Sequence, residues 1–206
     1  MSAAGSHSSV SVGVLALQGD FREHAEVLRS LGADVELVRR PEELARVSGL
    51  VIPGGESSVM DKLARAFGLA EPLAAFVRSG LPVYGTCAGL IMLADTVIDG
   101  IAGQESIGGL DIAVRRNAFG SQTLSFETDL DVPVLGDAPV HAVFIRAPVV
   151  ETVGPRARAL ATLADGRCVA VEQDNLLGTS FHPEITGENR FHEYFLGKVA
   201  AAGFRG

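Results

Sequence analysis

The first half of the chain repeats one pattern that leaves few folds open: short apolar runs at residues 12–17, 34–38, 49–52 and 81–84 are separated by stretches with helical spacing. Helices are predicted at 21–31, closed by Gly32, and at 59–67 and 71–78, with a short helical segment opened by Pro41-Glu42-Glu43. Strands that alternate with helices in this way build a parallel sheet covered on both faces. From about residue 97 the texture changes to strand-like runs at 110–114, 124–127, 140–145, 159–163, 169–172 and 177–181, some of which must pair antiparallel. Asp174-Asn175 reads as a hairpin turn, since both residues tolerate positive φ. A last helix is predicted at 189–201, with Phe191, Tyr194, Phe195 and Val199 spaced to cover one side. The fold class expected is α/β, a three-layer αβα sandwich with a mostly parallel central sheet plus an antiparallel portion.

At 206 residues without a repeat or low-complexity linker, the chain is expected to form a single domain over 11–206, preceded by a flexible polar tail at 1–10. Hydrophobic residues at 47% against 20% charged are the balance of a soluble globular protein, not a disordered one. A net charge of −8 gives no general attraction to nucleic acid or to an anionic membrane, and leaves small anionic or zwitterionic ligands open. The two cysteines, Cys87 and Cys168, suggest neither a disulfide framework nor paired metal thiolates, so a reducing, cytoplasmic location is expected. The tail lacks the basic start and apolar core of a signal peptide, and no apolar stretch approaches the roughly 20 residues that span a bilayer.

Gly85-Thr86-Cys87-Ala88-Gly89 joins the run at 81–84 to a helical pattern at 90–94. A nucleophile on a tight strand-to-helix turn needs small neighbours, and the unpaired N–H groups of a helix start favour a thiolate there. Taken alone, Cys87 reads better as a small buried hydrophobe, and the flanking glycines bring the two readings level. Phe181-His182-Pro183-Glu184 closes the last predicted strand. Proline disposes the residue before it to an extended backbone, in which residues two apart point the same way, so Glu184 can orient the His182 imidazole. Alone, a His-x-Glu pair is more often a surface pair. In an open parallel sheet, however, ligands sit at the carboxyl ends of the strands, where both Cys87 and His182 are expected. Pro53-Gly54-Gly55-Glu56-Ser57-Ser58 supplies a third loop on that edge, where a Gly55 N–H could face an oxyanion with the N–H of Ala88 as second donor. A phosphate loop is a poorer reading, because no Gly-Lys-Ser/Thr follows. Without His-Glu-x-x-His or Cys-x-x-Cys no metal site is expected; His24, His141 and His192 read as surface or core residues, and Cys168 as buried and inert.

These segments, together with Gly13-Val14-Leu15-Ala16-Leu17-Gln18-Gly19, Arg22-Glu23-His24, Arg116-Asn117-Ala118-Phe119-Gly120 and Phe144-Ile145-Arg146-Ala147-Pro148, resemble the glutaminase subunits of pyridoxal 5′-phosphate synthase, a family of class I (triad-type) glutamine amidotransferases. The resemblance runs from about residue 12 to the C-terminal helix. It implies Cys87 as nucleophile, His182 as general base and acid, and Glu184 as its orienter. It also implies glutamine contacts from Gly55, Glu56, Ser57, Arg116, Ile145 and Arg146, no cofactor, and a partner: a separate (β/α)₈-barrel synthase subunit in a large hetero-oligomer, to which ammonia from L-glutamine is delivered. Because Gly-Gly permits two states, the Gly54-Gly55 peptide is expected to be turned by docking of that partner. Two further readings stay open: a glutaminase for another synthase such as the imidazole glycerol phosphate enzyme, and a catalytically silent regulatory module of the same fold; the glutamine-contact segments disfavour a thiol protease-like hydrolase.

Overall fold

The computed structural model describes residues 10–116 and 125–203. The alternating half comprises β1 (Ser11–Leu15), α1 (Phe21–Ser30), β2 (Asp34–Val38), α2 (Pro41–Leu44), β3 (Gly49–Ile52), α3 (Ser57–Ala66), α4 (Ala70–Arg78), β4 (Val83–Thr86) and α5 (Ala88–Leu93). Strands dominate the rest: β5 (Ala94–Ile98), β6 (Leu110–Arg115), β7 (Ser125–Leu130), β8 (Val140–Ile145), β9 (Val149–Val153), β10 (Arg158–Thr162), β11 (Cys168–Gln173) and β12 (Leu176–Thr179), before the closing helix α6 (Arg190–Gly203).

The main sheet runs β2-β1-β3-β4-β12-β11-β9-β6-β5, with β10 paired to β11. β2, β1, β3, β4 and β12 are parallel. The direction reverses at β11, which pairs antiparallel with β12 through a two-residue turn: Gln173 faces Leu176, and Asp174 takes φ +50°. β9 is antiparallel to both β11 and β6, and β5 joins β6 in parallel. β7 and β8 form a separate antiparallel ribbon.

Alternation along the central strands sorts side chains into two cores, because successive residues of a strand point to opposite faces. Leu50, Ile52, Val83 and Leu176 face one side, where they meet Met60 and Ala64 of α3, Leu73 and Phe76 of α4, and Leu90 of α5. Val51, Tyr84 and Leu177 face the other, against Ala25 and Leu28 of α1, Phe144 of β8, and Phe191, Phe195 and Val199 of α6. Burial of each such side chain stabilises by about 1.5–3 kcal/mol. The expected three layers are therefore present.

The boundaries depart from expectation where local chemistry intervenes. β4 starts at Val83 rather than 81, since Pro82 has no N–H for the ladder and contributes only its carbonyl, which accepts the Leu50 N–H at 2.9 Å. The apolar run at 90–94 spans a helix-to-strand junction: α5 ends at Leu93, and Ala94 (ψ 137°) opens β5, a strand not predicted. β9 was also not predicted, although Val149, Val150 and Val153 follow Pro148. β12 stops at Thr179, two residues short of the predicted end. Residues 1–9, residue 124 and the stretch Asn117-Ala118-Phe119-Gly120 lie outside the described residues.

One close approach fixes how α5 sits on the sheet. A methyl group added at Gly89 would run into the carbonyl oxygen of Ile52, a backbone atom that cannot rotate away. Gly89→Ala is expected to lower the unfolding free energy by about 1–3 kcal/mol or more, read by urea denaturation.

Candidate active site

Cys87 occupies the bend between β4 and α5 with φ +48° and ψ −101°, a conformation that L-residues rarely adopt. The bend is held from both ends: the Cys87 N–H donates to the Thr179 carbonyl of β12 at 2.8 Å, and its own carbonyl accepts the Ile91 N–H at 3.3 Å. Small neighbours are obligatory here, since a methyl at Gly85 would strike the backbone of Gly89. Ala88 is the first residue of α5, so its N–H is one of the first-turn donors that no helical carbonyl can take up.

His182 lies three residues beyond the end of β12, and its N–H donates to the Val143 carbonyl of β8 at 3.0 Å. The segment is not extended throughout, as the sequence suggested. His182 is (φ −112°, ψ 83°), but Pro183–Ile185 form a 3₁₀ turn, and it is this turn that brings Glu184 back onto the ring. His182 Nδ1 lies 2.7 Å from Glu184 Oε1. That leaves Nε2 for Cys87, which lies near enough to the ring to raise its pKa. Both His182 and Glu184 are buried. Burial by itself lowers the His182 pKa, but the hydrogen bonds and charges of Cys87 and Glu184 outweigh it and raise the imidazole to about 10. Burial pushes the Glu184 carboxyl up, against the opposing pull of His182. The proton of this pair belongs on the ring.

The Gly54-Gly55 loop borders the same imidazole, for a Cβ at Gly54 would meet His182 Cε1 and Asp20 Oδ2. Gly55 has φ +142°, where a side chain would be strained and would also collide with Gln18. From this loop a chain of polar contacts runs outward. The Glu56 N–H donates to Gln18 Oε1 at 2.8 Å, Arg116 Nη2 to Glu56 Oε1 at 2.6 Å, Arg116 Nη1 to Gln104 Oε1 at 3.2 Å, and Gln104 Nε2 to Ser57 Oγ at 3.0 Å. Arg116 is thus joined to Glu56 and Ser57 in one network. Ile145 ends β8 two residues after Val143 and is exposed; Arg146 follows it with φ +43°.

Several participants carry no local motif. Gln18, Asp20 and Gln104 were not singled out, although Gln18 falls within one of the shared stretches. His24 and His192 are in the core, as one of the two readings had it, yet they are not inert packing: both are fully buried and bonded to one another at 2.9 Å. His141 is exposed between Asp129 and Glu127, whose hydrogen bonds raise its pKa. Cys168 is buried, and burial lifts its thiol to about 11. Asp20, His182 and Glu184 bring ligand-type atoms within 4.8 Å of one another. The imidazole atom in that group is Nδ1, whose proton is donated to Glu184, so it has no lone pair for a metal ion. Among the described residues no helix is long and apolar enough to cross a membrane.

A buried thiol on a strained strand-to-helix bend, beside an imidazole backed by a carboxylate, is an arrangement suited to nucleophilic attack on a carbonyl carbon, and the family match and a solved structure give the class as the glutamine amidotransferases. The chain belongs to the SNO glutamine amidotransferase family, whose pattern matches residues 14–201. It is 74% identical over 191 residues to the pyridoxal 5′-phosphate synthase subunit PdxT of Leifsonia xyli subsp. xyli, covering 93% of this chain and 96% of that protein. It is 70% identical to the subunit of the same name from Clavibacter michiganensis subsp. michiganensis, with 93% and 92% covered. A solved structure described as a glutamine amidotransferase superposes with a TM-score of 0.85 at 47% identity, over 92% of this chain and 98% of that one.

The two core histidines carry a cost in acid. Burial, then the charges of His192 and His182, holds His24 well below the usual imidazole range, and burial holds His192 at about 4. The unfolded chain binds protons on both as pH falls below about 6.5, whereas the folded chain does not. The stability that comes from holding these two rings neutral is therefore complete above about pH 6.5 and is lost toward pH 4, by roughly 3 kcal/mol for His192 alone. Urea midpoints should fall across this range, and His192→Phe should flatten the decline.

Proposed function

We propose that this chain hydrolyses L-glutamine to L-glutamate and ammonia through Cys87, His182 and Glu184, and that the ammonia supplies a synthase that makes pyridoxal 5′-phosphate. The observation that carries the reading is His182 Nδ1 on Glu184 Oε1 at 2.7 Å, with Cys87 near enough to the same ring to raise its pKa. In this mechanism the imidazole, whose pKa is raised to about 10, already holds the Cys87 proton on Nε2, and the sulfur attacks the side-chain amide carbon as the thiolate. The oxyanion of the tetrahedral intermediate accepts hydrogen bonds from the N–H groups of Gly55 and Ala88; one such donor is worth about 3–4 kcal/mol in transition states of this kind. His182 then protonates the departing nitrogen, and the C–N bond breaks to leave a γ-glutamyl thioester. Water, giving its proton to the same imidazole, attacks the thioester carbon, and glutamate leaves as the sulfur returns to the thiolate. Glu184 stabilises the imidazolium in each half of the cycle.

Substrate recognition falls to the polar network and the end of β8. A guanidinium suits an α-carboxylate, and Arg116 is held by Glu56 and Gln104 in the same chain of contacts that reaches Ser57. Backbone groups at Ile145 and Arg146 read the amino-acid end. The acceptor of ammonia is proposed from the relatives, which are named as subunits of pyridoxal 5′-phosphate synthase at 70–74% identity. The same names favour that synthase over the imidazole glycerol phosphate enzyme, and we take the partner to be a (β/α)₈-barrel subunit in a large hetero-oligomer. The Gly54 carbonyl accepts the Asp20 N–H at 3.2 Å, so turning the Gly54-Gly55 peptide on docking gives up that hydrogen bond.

Cys87→Ala is expected to abolish glutamate release while leaving the unfolding midpoint within a few degrees; turnover in this variant would overturn the assignment. Glutamate release should also rise severalfold when the barrel subunit is added, and equal rates with and without it would refute the docking-driven peptide turn.

A further inference from the structure

Next to the proposed triad lies a second set of buried polar groups that the mechanism leaves unused. His24 is fully buried, and each of its ring nitrogens has a partner: Nδ1 lies 2.9 Å from His192 Nε2, and Nε2 lies 3.0 Å from Thr86 Oγ1. The same Nε2 is 3.5 Å from Glu184 Oε2, the oxygen that His182 does not engage and that lacks a hydrogen bond of its own. At that distance the contact is electrostatic rather than a close hydrogen bond. Thr86 immediately precedes Cys87, so one ring stands between the residue before the thiol and the carboxylate behind the imidazole.

Counting protons fixes the tautomers. Both rings are neutral near pH 7. An ionised Glu184 offers only lone pairs, so His24 must present Nε2–H for the contact to be attractive. Its Nδ1 is then an acceptor, and His192 must donate from Nε2. The atom left over, His192 Nδ1, is a lone pair, and it is the ring atom without a hydrogen-bond partner. The opposite arrangement would bury an unpaired N–H and set lone pairs of His24 against those of Glu184. Two imidazoles in a core also cost desolvation that apolar side chains of the same shape would not.

We propose that His24, itself oriented by His192, is a positioning residue for Glu184: its Nε2–H steers the outer carboxylate oxygen so that Oε1 stays on His182 Nδ1, and ties the carboxylate to Thr86 beside the thiol. This rests on the assignment of Cys87, His182 and Glu184 given above. The other titratable groups facing the assembly are Asp20 beside His182 and Glu184, Tyr84 toward Glu184 and His192, and Glu188 toward His192.

The test uses the full chain in two ways. In the unmutated protein, nitrogen-15 spectra of the imidazoles should report neutral Nε2–H tautomers for both His24 and His192; an Nδ1–H tautomer at His24 would overturn the proposal whatever the variants do. The variants are His24→Gln, whose amide nitrogen reaches the place of Nε2, and His24→Asn, which reaches only the place of Nδ1. His24→Asn should lower kcat by roughly 10–100-fold, the size of effect seen when an outer-shell partner of a metal ligand is removed, with KM changed by less than about twofold. A less firmly held carboxylate stabilises the imidazolium less, so the His182 titration, near 10 in the intact protein, should move down together with the alkaline limb of the activity profile. His24→Gln should recover most of both. If the two variants behave alike, or the His182 titration stays in place in His24→Asn, the inference fails. Loss of turnover in Cys87→Ala alongside that result would confine the failure to His24; survival of turnover in Cys87→Ala would remove the underlying assignment instead.

Discussion

A backbone held at φ +48° on a residue with a side chain costs on the order of 1–3 kcal/mol, and at Cys87 the surroundings are built so that the chain has no cheaper path. β4 lies between β3 and β12, and both ladders fix its direction up to the bend. The Cys87 N–H is claimed by Thr179 from the neighbouring strand, so relaxing the bend would break the last rung of the β4–β12 ladder. On the far side, Gly85 and Gly89 let strand, bend and helix close to a distance that no side chain permits. The thiol is therefore delivered by the sheet rather than by a flexible loop. Moreover, β12, which braces it, also leads into His182 and Glu184.

That sharing explains why the sheet reverses where it does. β4 and β12 are parallel neighbours, so their carboxyl ends lie side by side, and residues 87 and 182 come from the same edge. The hairpin at Asp174-Asn175 makes this possible, by returning the chain along β12 immediately after β11 has run the other way. β8 adds a prop from outside the main sheet through the Val143 carbonyl on the His182 N–H.

Much of this was legible in the sequence, for identifiable reasons. β2, β3 and β8 occupy the predicted residues, because each is a short run with clear ends. The hairpin was readable because it is made by two adjacent residues. Pro82 shows the limit: an apolar neighbourhood extended β4 by two residues, and only the missing N–H shortens it. Ala94 shows another, since an apolar run carries no mark of where a helix gives way to a strand. What the sequence did not disclose is pairing at a distance. His24 and His192 stand 168 positions apart on helices whose spacing announces only a buried face, and nothing local says that one imidazole will meet the other. Gln104 and Asp20 are equally silent, as their partners lie on other loops.

The glycines around the bend have one more implication. At Gly85 and Gly89 an added methyl would meet main chain, at Gly54 the His182 ring and the Asp20 carboxylate, and at Gly55 the Gln18 amide in a backbone already at positive φ. Divergence in which amide this scaffold accepts has more room in side chains, in Arg116 and its companions and in the rim after β8. The bend that carries the thiol is frozen by its own main chain, and evolutionary tinkering is left to the side chains around it.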